Sequence, residues 1–420
     1  MAEAEYIPTL KDIVSAKQTL NEIITTTPLV QNRSLSDTFG CNIYLKREDL
    51  QMVRSYKIRG AYNKIRSLSP EECSKGVVCA SAGNHAQGVA YSCSKLKIHG
   101  KIFMPKTTPK QKINSVKMFG GEYVEVILVG DTFDASCEAA QATCKQENMI
   151  FIPPFDDPKI IEGQATVALE ILQQIKSPVD YVFVPIGGGG LASGVASYFK
   201  QMSPETKIIG VEPSGAASMK TSLDKNKITR LPSIDKFVDG AAVQKVGNYT
   251  FDSCKKYIDD VIPVPEGEVC SSILRMYNQD AIVVEPAGAL SVTALNHYRD
   301  KIKGKNVVCI ISGSNNDITR MEEIKERSLL YEGLKHYFIV NFPQRPNSLA
   351  TFVSEVLSPT DDITFFEYKK KINREKGPAV VGIEVLHPED LKSLLARMKE
   401  YKIEYEYLND KPTIFEYLIF

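Results

Sequence analysis

The chain has 420 residues, of which 43% are apolar, enough to form the cores of two or three domains. Basic and acidic residues number 51 each, and this zero net charge argues against nucleic-acid binding and against adhesion to an anionic membrane. The first ten residues contain Glu3 and Glu5 and no apolar run, so we expect no secretory signal, no membrane span and a cytoplasmic protein. Nine scattered cysteines without a C-x-x-C pair, and five histidines without an H-x-x-x-H pair, predict reduced thiols and no metal site.

Short apolar runs alternate with amphipathic helical patterns through residues 77–312. Continuously apolar runs predict buried strands at Val77–Ala80, Lys101–Met104, Tyr181–Ile186, Ile208–Glu212 and Val307–Ser312. Helical periodicity lies between them at Ala86–Lys95, Ile160–Gln174 and Ala192–Gln201. Strands of this kind that alternate with helices are typical of parallel sheets covered on both faces. We therefore expect an α/β catalytic domain over residues 1–325, built as two α/β subdomains.

The pattern changes beyond a charged helical connector, Arg320–Leu334. The predicted elements are then strand His336–Phe342, helix Ser348–Leu357, strands Ile363–Lys370 and Ala379–Leu386, helix Pro388–Tyr401 and strand Glu404–Leu408. This β-α-β-β-α-β order predicts a ferredoxin-like domain over residues 335–409.

The segment SYKIRGA, residues 55–61, stands at the mouth of a helical pattern that begins near Arg59. A lysine that forms a Schiff base needs partial desolvation and cationic neighbours, which lower its pKa so that some amine is unprotonated near neutral pH. Arg54 and Arg59 flank Lys57, and we expect them to be those neighbours. Lysine beside arginine is also the ordinary composition of a solvated helix face, so this segment alone does not decide.

The segment SAGNHAQG, residues 81–88, follows the predicted strand Val77–Ala80 and opens a helix. A strand-to-helix turn of this composition exposes backbone N–H groups at the positive end of a helix, which suits a substrate carboxylate. A plain serine or asparagine cap is the competing interpretation, and these residues alone favour neither.

The segment GGGGL, residues 187–191, lies between the predicted strand Tyr181–Ile186 and a helix. Consecutive glycines let backbone amides converge on a phosphate with no Cβ in the way. The same loop fits the dinucleotide fingerprint G-x-G-x-x-A through Gly187, Gly189 and Ala192, with Glu212 about twenty residues further on. Its position in the middle of the chain, and the lysine and asparagine segments before it, favour the phosphate of a different cofactor.

Together with SGSN at residues 312–315, these segments resemble the serine/threonine dehydratase family. Its members are fold type II pyridoxal-phosphate enzymes, with a catalytic fold like that of the tryptophan synthase β subunit. The resemblance implies that Lys57 binds the cofactor covalently and moves the substrate Cα proton, that Asn84 contacts the ring hydroxyl, and that Ser312 meets the pyridine nitrogen. It assigns the cofactor phosphate to Gly187, Gly188, Gly189, Gly190 and Leu191. It assigns the substrate carboxylate to Ser81, Ala82, Gly83, Asn84 and His85.

Three side chains near these segments need separate interpretations. For the side chain of His85 we expect a structural role. Ser312 presents a neutral hydroxyl, which would leave the pyridine nitrogen largely unprotonated and favour β-elimination over transamination. Glu285 begins the segment EPAGA, which also resembles family sequence, but a carboxylate in the first turn of a helix is favoured by the helix dipole alone. We leave Glu285 outside the catalytic set.

The segment FPQRPNSL, residues 342–349, resembles the F-P-x-R-P-G-x-L turn of the ACT-like domain in the biosynthetic members of this family. Asn347 replaces the glycine, but asparagine tolerates left-handed geometry and caps helices, so we expect the turn to survive. The resemblance implies dehydration and deamination of threonine to 2-oxobutanoate and ammonia, the first committed step of isoleucine biosynthesis. It also implies inhibition by isoleucine, opposition by valine and a homotetramer of the short form, which has a single ACT-like domain.

Three alternatives remain open. One is another activity on the same fold, such as a serine/threonine dehydratase or racemase that acts mainly on serine, or a threonine synthase. Another is a dinucleotide-dependent oxidoreductase built on residues 187–190. The last is a catalytically silent amino-acid sensor, which the intact lysine and serine segments disfavour. For residues 335–409, a domain that only joins subunits competes with an effector domain.

Overall fold

The computed structural model describes residues 6–368, 375–411 and 415. The chain divides into two compact units, residues 1–320 and 321–420. All nine cysteines are unpaired and six of them are buried, which confirms the prediction of mostly buried cysteines. Within the ranges described, no helix combines the length and the apolar composition that a membrane crossing requires.

The strands of the first unit form two sheets. They are β1 (Leu29–Gln31), β2 (Asn42–Arg47), β3 (Val77–Ala80), β4 (Gly100–Met104), β5 (Val124–Leu128), β6 (Ile150–Phe151), β7 (Tyr181–Pro185), β8 (Lys207–Pro213), β9 (Asp260–Val264) and β10 (Asn306–Ile311). The larger sheet has the order β1-β2-β10-β7-β8-β9 and is parallel except for β1 at its edge. The smaller sheet, β5-β4-β3-β6, is parallel throughout. The prediction of two α/β subdomains is therefore confirmed, and the five predicted strands correspond to β3, β4, β7, β8 and β10. The strands β1, β2, β5, β6 and β9 were not predicted; β1 and β6, with three and two residues, are too short to carry a readable pattern.

The helices of the first unit follow the same alternation. They are α1 (Leu10–Leu20), α2 (Arg33–Phe39), α3 (Lys57–Arg66), α4 (Pro70–Lys75), α5 (Asn84–Leu96), α6 (Lys110–Gly120), α7 (Phe133–Gln146), α8 (Pro158–Gln174), α9 (Gly190–Met202), α10 (Ser218–Asp224), α11 (Asn248–Tyr257), α12 (Glu266–Asp280), α13 (Pro286–Thr293) and α14 (Leu295–Ile302). The three predicted helices are confirmed as α5, α8 and α9, and each begins two residues earlier than predicted. Their first residues, Asn84, Pro158 and Gly190, lie outside the apolar periodicity, and boundaries are where pattern analysis is weakest.

Glycine brings α3 close to α8, and this contact fixes the position of the Lys57 segment. A Cβ at Gly163 of α8 would lie 2.6 Å from the carbonyl oxygen of Arg59 in α3, so only glycine fits there. Helix α8 itself begins at an Asp157 cap, whose side chain accepts the backbone N–H of Ile160, with Pro158 at the first helical position. Both helices are largely buried, so the amine of Lys57 starts from a rigid support.

The second unit is an antiparallel sheet with helices. Its elements are α15 (Met321–Tyr331), β11 (Lys335–Pro343), α16 (Ser348–Thr351), which continues as a π-helical turn, β12 (Asp362–Tyr368), β13 (Lys376–Glu384), α17 (Asp390–Glu400) and β14 (Glu404–Tyr407). The sheet order β12-β13-β11-β14 confirms the ferredoxin-like prediction for the described residues. The end of one predicted strand, Lys369 and Lys370, lies outside the described residues. The fully buried core includes Phe338, Val340, Phe352, Val381 and Leu394.

Asn347 lies in the turn between β11 and α16 with a φ of 67°. The predicted left-handed geometry is therefore confirmed, and asparagine adopts it with little strain. The turn is present as predicted, although the side chain of Asn347 makes no capping hydrogen bond. Instead the backbone oxygen of Asn347 accepts a hydrogen bond from the Thr351 hydroxyl at 3.2 Å.

Candidate active site

Two of the motifs leave the larger sheet at the same edge. The glycine loop follows β7, and Ser312 follows β10, the strand beside β7. These strands are parallel, with Cys309 opposite Phe183, so the loop and the serine emerge side by side. Ligands of open parallel sheets bind at the carboxyl ends of the strands, which makes this edge the expected site.

Hydrogen bonds connect the other motifs to this edge. The backbone N–H of Tyr56, next to Lys57, donates to the carbonyl of Ser312 at 3.1 Å. Ser55 forms a β-bridge with Gly313. The structure thereby brings the lysine segment and the serine segment together, although about 255 residues separate them along the chain.

The amine of Lys57 lies in a partly buried position and donates a hydrogen bond to the carbonyl of Pro154 at 2.8 Å. Burial lowers the pKa of Lys57 to about 8, and the nearby carboxylate of Glu285 opposes that shift. The expectation that arginines lower this pKa was wrong. Arg59 points elsewhere and pairs with two carboxylates, and Arg54 is exposed. Desolvation alone makes Lys57 a nucleophilic amine near neutral pH.

The glycine loop has the shape of an anion cradle. Gly189 has a φ of 93°, which glycine adopts without cost, and a Cβ at Gly188 would lie 2.2 Å from the ring of Phe155. Among the described residues, no protein group accepts a hydrogen bond from the backbone N–H of Gly187, Gly188, Gly189, Gly190 or Leu191. The loop also opens α9, so the helix dipole adds to these donors.

The loop at residues 81–84 precedes α5 and is partly exposed. The N–H of Gly83 is bound by the hydroxyl of Ser81 at 3.3 Å, while no described protein group accepts the N–H of Asn84 or His85. These unused donors at a helix N-terminus support the carboxylate prediction. The His85 side chain is buried against the carbonyl of Ile152 at 2.9 Å, and burial, with the charge of Lys57, lowers its pKa to about 3. This neutral imidazole packs in the protein interior, as expected.

Ser312 is 2% exposed, and its hydroxyl donates to the carbonyl of Ala287 at 3.3 Å. Asn84 lies in a polar cluster: its Oδ1 accepts the Nδ2 of Asn315 at 2.6 Å, and its Nδ2 donates to Glu285 Oε1 at 2.6 Å. Glu285, which the sequence alone does not place in the catalytic set, is buried. A glutamate before a proline is typical of an ordinary helix start, so only the fold reveals that its carboxylate contacts Asn84.

Glu212 has a structural role that removes the support for a dinucleotide. Its buried carboxylate accepts the backbone N–H groups of Met219 and Lys220, each at 2.8 Å. Burial raises the pKa of Glu212 to about 8 despite these bonds. Both carboxylate oxygens therefore serve the first turn of α10, which accounts for Glu212 without a ribose ligand.

Family comparisons agree with this geometry. Residues 20–313 match the model of the pyridoxal-phosphate dependent enzyme family, and residues 326–418 match the C-terminal regulatory domain of threonine dehydratase. The chain belongs to the pyridoxal-phosphate dependent enzyme family, and its cofactor is pyridoxal phosphate (PLP).

Particular relatives narrow the group. The chain is 56% identical to L-threonine dehydratase biosynthetic IlvA of Halalkalibacterium halodurans over 410 residues, 98% of this chain and 99% of that protein. It is 55% identical to the protein of the same name from Bacillus subtilis, over 98% of this chain and 97% of that protein. The solved structure of processed threonine deaminase isoform 2 from Solanum lycopersicum superposes with a TM-score of 0.72 at 41% identity, covering 78% of this chain and 96% of that one.

The residues present fit PLP. The site offers an amine whose pKa is about 8, a glycine loop with unused N–H donors, and a buried hydroxyl on Ser55 that has no protein partner among the described residues. An aldehyde, a phosphate and ring polar atoms are the groups that such a donor set would hold.

Proposed function

We propose that this enzyme dehydrates and deaminates L-threonine to 2-oxobutanoate and ammonia, the first committed step of isoleucine biosynthesis. The observation that carries the proposal is the amine of Lys57, with a pKa of about 8, at the point where the four motifs meet. The relatives that share 55–56% of the sequence over almost the whole chain are biosynthetic threonine dehydratases by name. The added C-terminal unit favours this activity over a serine dehydratase or racemase.

Each residue has a role in this scheme. PLP, when bound, withdraws electrons from the substrate Cα. Lys57 holds the cofactor and then moves the Cα proton, because its depressed pKa lets it accept and release a proton near neutral pH. Asn84 would bind the ring hydroxyl, and the neutral hydroxyl of Ser312 would meet the ring nitrogen, which would favour loss of the β-hydroxyl over transamination. The remaining contacts come from two loops: Gly187, Gly188, Gly189, Gly190 and Leu191 bind the phosphate, and Ser81, Ala82, Gly83, Asn84 and His85 bind the substrate carboxylate.

The proposal extends to regulation and assembly. Residues 1–325 form the catalytic domain, and residues 335–409 form an ACT-like domain that binds isoleucine as an inhibitor, with valine as its opponent. The match of residues 326–418 to a threonine dehydratase regulatory domain supports an amino-acid effector. The enzyme works as a homotetramer in the cytoplasm.

The test measures 2-oxo acid formation from threonine and from serine, with and without isoleucine. We expect faster turnover of threonine, inhibition by isoleucine, and a loss of about 10³-fold or more in Lys57→Ala. The matched control is Lys110→Ala, which removes an exposed lysine on α6 and should leave turnover unchanged. Borohydride reduction followed by peptide mapping should place the pyridoxyl group on Lys57; a group on another lysine would refute the assignment.

A further inference from the structure

The carboxylate of Glu285 is hydrogen-bonded to the side chain of Asn84. Glu285 is 4% exposed, and its Oε1 accepts a hydrogen bond from Asn84 Nδ2 at 2.6 Å. A glutamate just before a helix could serve only to cap it, but this side chain makes no hydrogen bond to the N-terminus of α13. Its polar atoms are directed at the site and away from its own helix.

Asn84 is held from both sides. Its Oδ1 accepts a hydrogen bond from Asn315 Nδ2 at 2.6 Å, and that nitrogen also donates to the carbonyl of Val53 at 2.9 Å. An amide has two N–H donors and two lone pairs, so these bonds leave one N–H of Asn84 for a ligand. An ionised carboxylate has no hydrogen to donate, so rotating the Asn84 amide by 180° would set its oxygen against Glu285 without a hydrogen bond.

Close packing keeps the carboxylate in place. A Cβ at Gly313 would lie 2.4 Å from Glu285 Oε1, so this position needs glycine if the carboxylate is to occupy this space. A Cβ at Gly240 would lie 2.8 Å from the Cβ of Ala287 but 3.5 Å from Glu285 Oε1, so it is Ala287 that excludes a side chain there. The chain gives up the side chain at position 313 next to the carboxylate of Glu285, which a simple helix start would not require.

Several charged groups face this carboxylate. Burial and the charge of Asp239 raise the pKa of Glu285 to about 7, while the hydrogen bond from Asn84 and the charge of Lys112 lower it. Lys57 lies near enough to feel its charge, as does the phenol of Tyr56. Asn315 also contributes a backbone hydrogen bond that favours the ionised form.

We propose that Glu285 is a positioning residue that fixes the amide of Asn84, so that the remaining N–H of Asn84 points at the ring hydroxyl of PLP. The inference rests on the proposed role of Asn84 as a cofactor ligand. Glu285 itself need not touch the cofactor. The clamp consists of Glu285, Asn84 and Asn315.

Cofactor affinity tests the clamp without any turnover. Cofactor-free protein is titrated with PLP and followed by its visible absorbance. Glu285→Gln should weaken PLP binding about tenfold. The carboxylate now accepts hydrogen bonds from the side chain of Asn84 and the backbone of Asn315, and a glutamine would set an N–H₂ group against one of these two donors. In an Asn84→Ala background the same change should weaken binding by less than about twofold, because the group to be positioned is gone.

The matched control is Glu268→Gln. Glu268, in α12, is 5% exposed, and its carboxylate accepts the Nδ2 of Asn296, in α14, at 2.9 Å, the same carboxylate–amide pairing outside the site. Its other oxygen lies 2.9 Å from His297 Nε2. The Glu268→Gln variant should bind PLP with unchanged affinity. An equal loss for Glu285→Gln in both backgrounds, or no loss in either, would overturn the clamp.

A second variant keeps the test decisive if Glu285→Gln does not fold. Asn315→Ala removes the other side of the clamp, and its effect on PLP affinity should also vanish in the Asn84→Ala background. Failure of the proposed function shows itself separately, as an absence of 2-oxo acid from threonine in the unaltered enzyme. The titration uses no threonine, so the two failures are distinguishable.

Discussion

Lys57 and Arg59 lie two residues apart in the first turn of α3, and their charges have different surroundings. Arg59 is 0% exposed, and its guanidinium donates to Glu48 Oε1 at 2.7 Å and to Glu170 Oε2 at 2.8 Å. Within the part of the chain that the structure describes, the amine of Lys57 donates only to a backbone carbonyl, that of Pro154. Positions i and i+2 point to different sides of a helix, so one turn serves two environments.

The difference teaches that the partner, more than burial, decides whether a cation keeps its proton. Burial lowers the pKa of both side chains, but Glu48 and Glu170 raise that of Arg59 above its usual value. Among the described residues no carboxylate bonds the amine of Lys57, and the charge of Glu285 only partly opposes desolvation, so the pKa of Lys57 falls to about 8. The paired cation supports the fold, and the unpaired one is available for chemistry.

The network around Arg59 extends through Glu170. Lys46, also 0% exposed, donates to Glu170 at 2.7 Å, and Lys17 bonds the same carboxylate. Burial raises the pKa of Glu170, but the charges of Arg59 and Lys46 outweigh burial and lower this pKa to about 2. Arg59 and Glu170 therefore keep their charges throughout the neutral range, whereas the amine of Lys57, with a pKa of about 8, begins to lose its proton there.

The largest change in stability is expected from removing Arg59 and with it the buried ion pairs to Glu48 and Glu170. Arg59→Ala leaves Glu48 and Glu170 buried without their shared partner, and we expect the free energy of unfolding to fall by about 3–5 kcal/mol. Denaturant unfolding measures this loss. The control is Arg33→Ala, which breaks an exposed pair with Asp37 and should change stability by less than about 0.5 kcal/mol. A loss below about 1 kcal/mol for Arg59→Ala would contradict the comparison.

The sequence predicted the parts of this site that are local. The glycine loop, the Asn84 turn and Ser312 each follow an apolar strand, so their place at the end of a sheet could be read from the pattern. The surroundings of Lys57 could not. Its flanking arginines looked like the cause of a low pKa, but side-chain direction and partners far along the chain, such as Glu170, decide where Arg59 points.

Glu285 is a second residue whose role depends on a contact far along the chain and could not be read from the local sequence. Its separation from Asn84 is 201 residues, and nothing in the segment EPAGA distinguishes a carboxylate that reaches the site from one that starts a helix. In the second unit, the pattern predicted the ferredoxin-like order and the left-handed Asn347. The pattern does not show whether Asn347 also caps the helix, and at a φ of 67° its side chain makes no capping hydrogen bond.

A smaller effect of opposite sign is expected at Lys57. Its folded pKa of about 8 lies below the ordinary 10.5, so the unfolded chain binds more protons between these values. The charged amine therefore costs stability at pH 7, and the cost disappears as the pH rises through 10.5. In cofactor-free protein, Lys57→Met should raise the free energy of unfolding at pH 7 by about 1–2 kcal/mol. Lys110→Met, at an exposed site, should leave it unchanged; a lower stability for Lys57→Met would contradict the unpaired assignment.

The smallest effect concerns the rate at which cofactor-free protein captures PLP. Only the unprotonated amine attacks an aldehyde, so the rate should fall about tenfold for each pH unit below the pKa of Lys57. It should level off above a pH of about 8, the pKa of this amine. Stopped-flow absorbance measures the rate, and Nα-acetyl-lysine measured in parallel corrects for titration of PLP itself.

The pH at which the capture rate levels off distinguishes an unpaired amine, as proposed for Lys57, from a cation paired like Arg59. An amine paired like Arg59 would keep its proton, and its rate of capture would still be rising at pH 10. Glu285 opposes the shift of Lys57, so Glu285→Gln should move the plateau to lower pH, because the neutral side chain no longer stabilises the ammonium ion. A plateau that moves upward in this variant would mean that Glu285 does not act on the charge of Lys57.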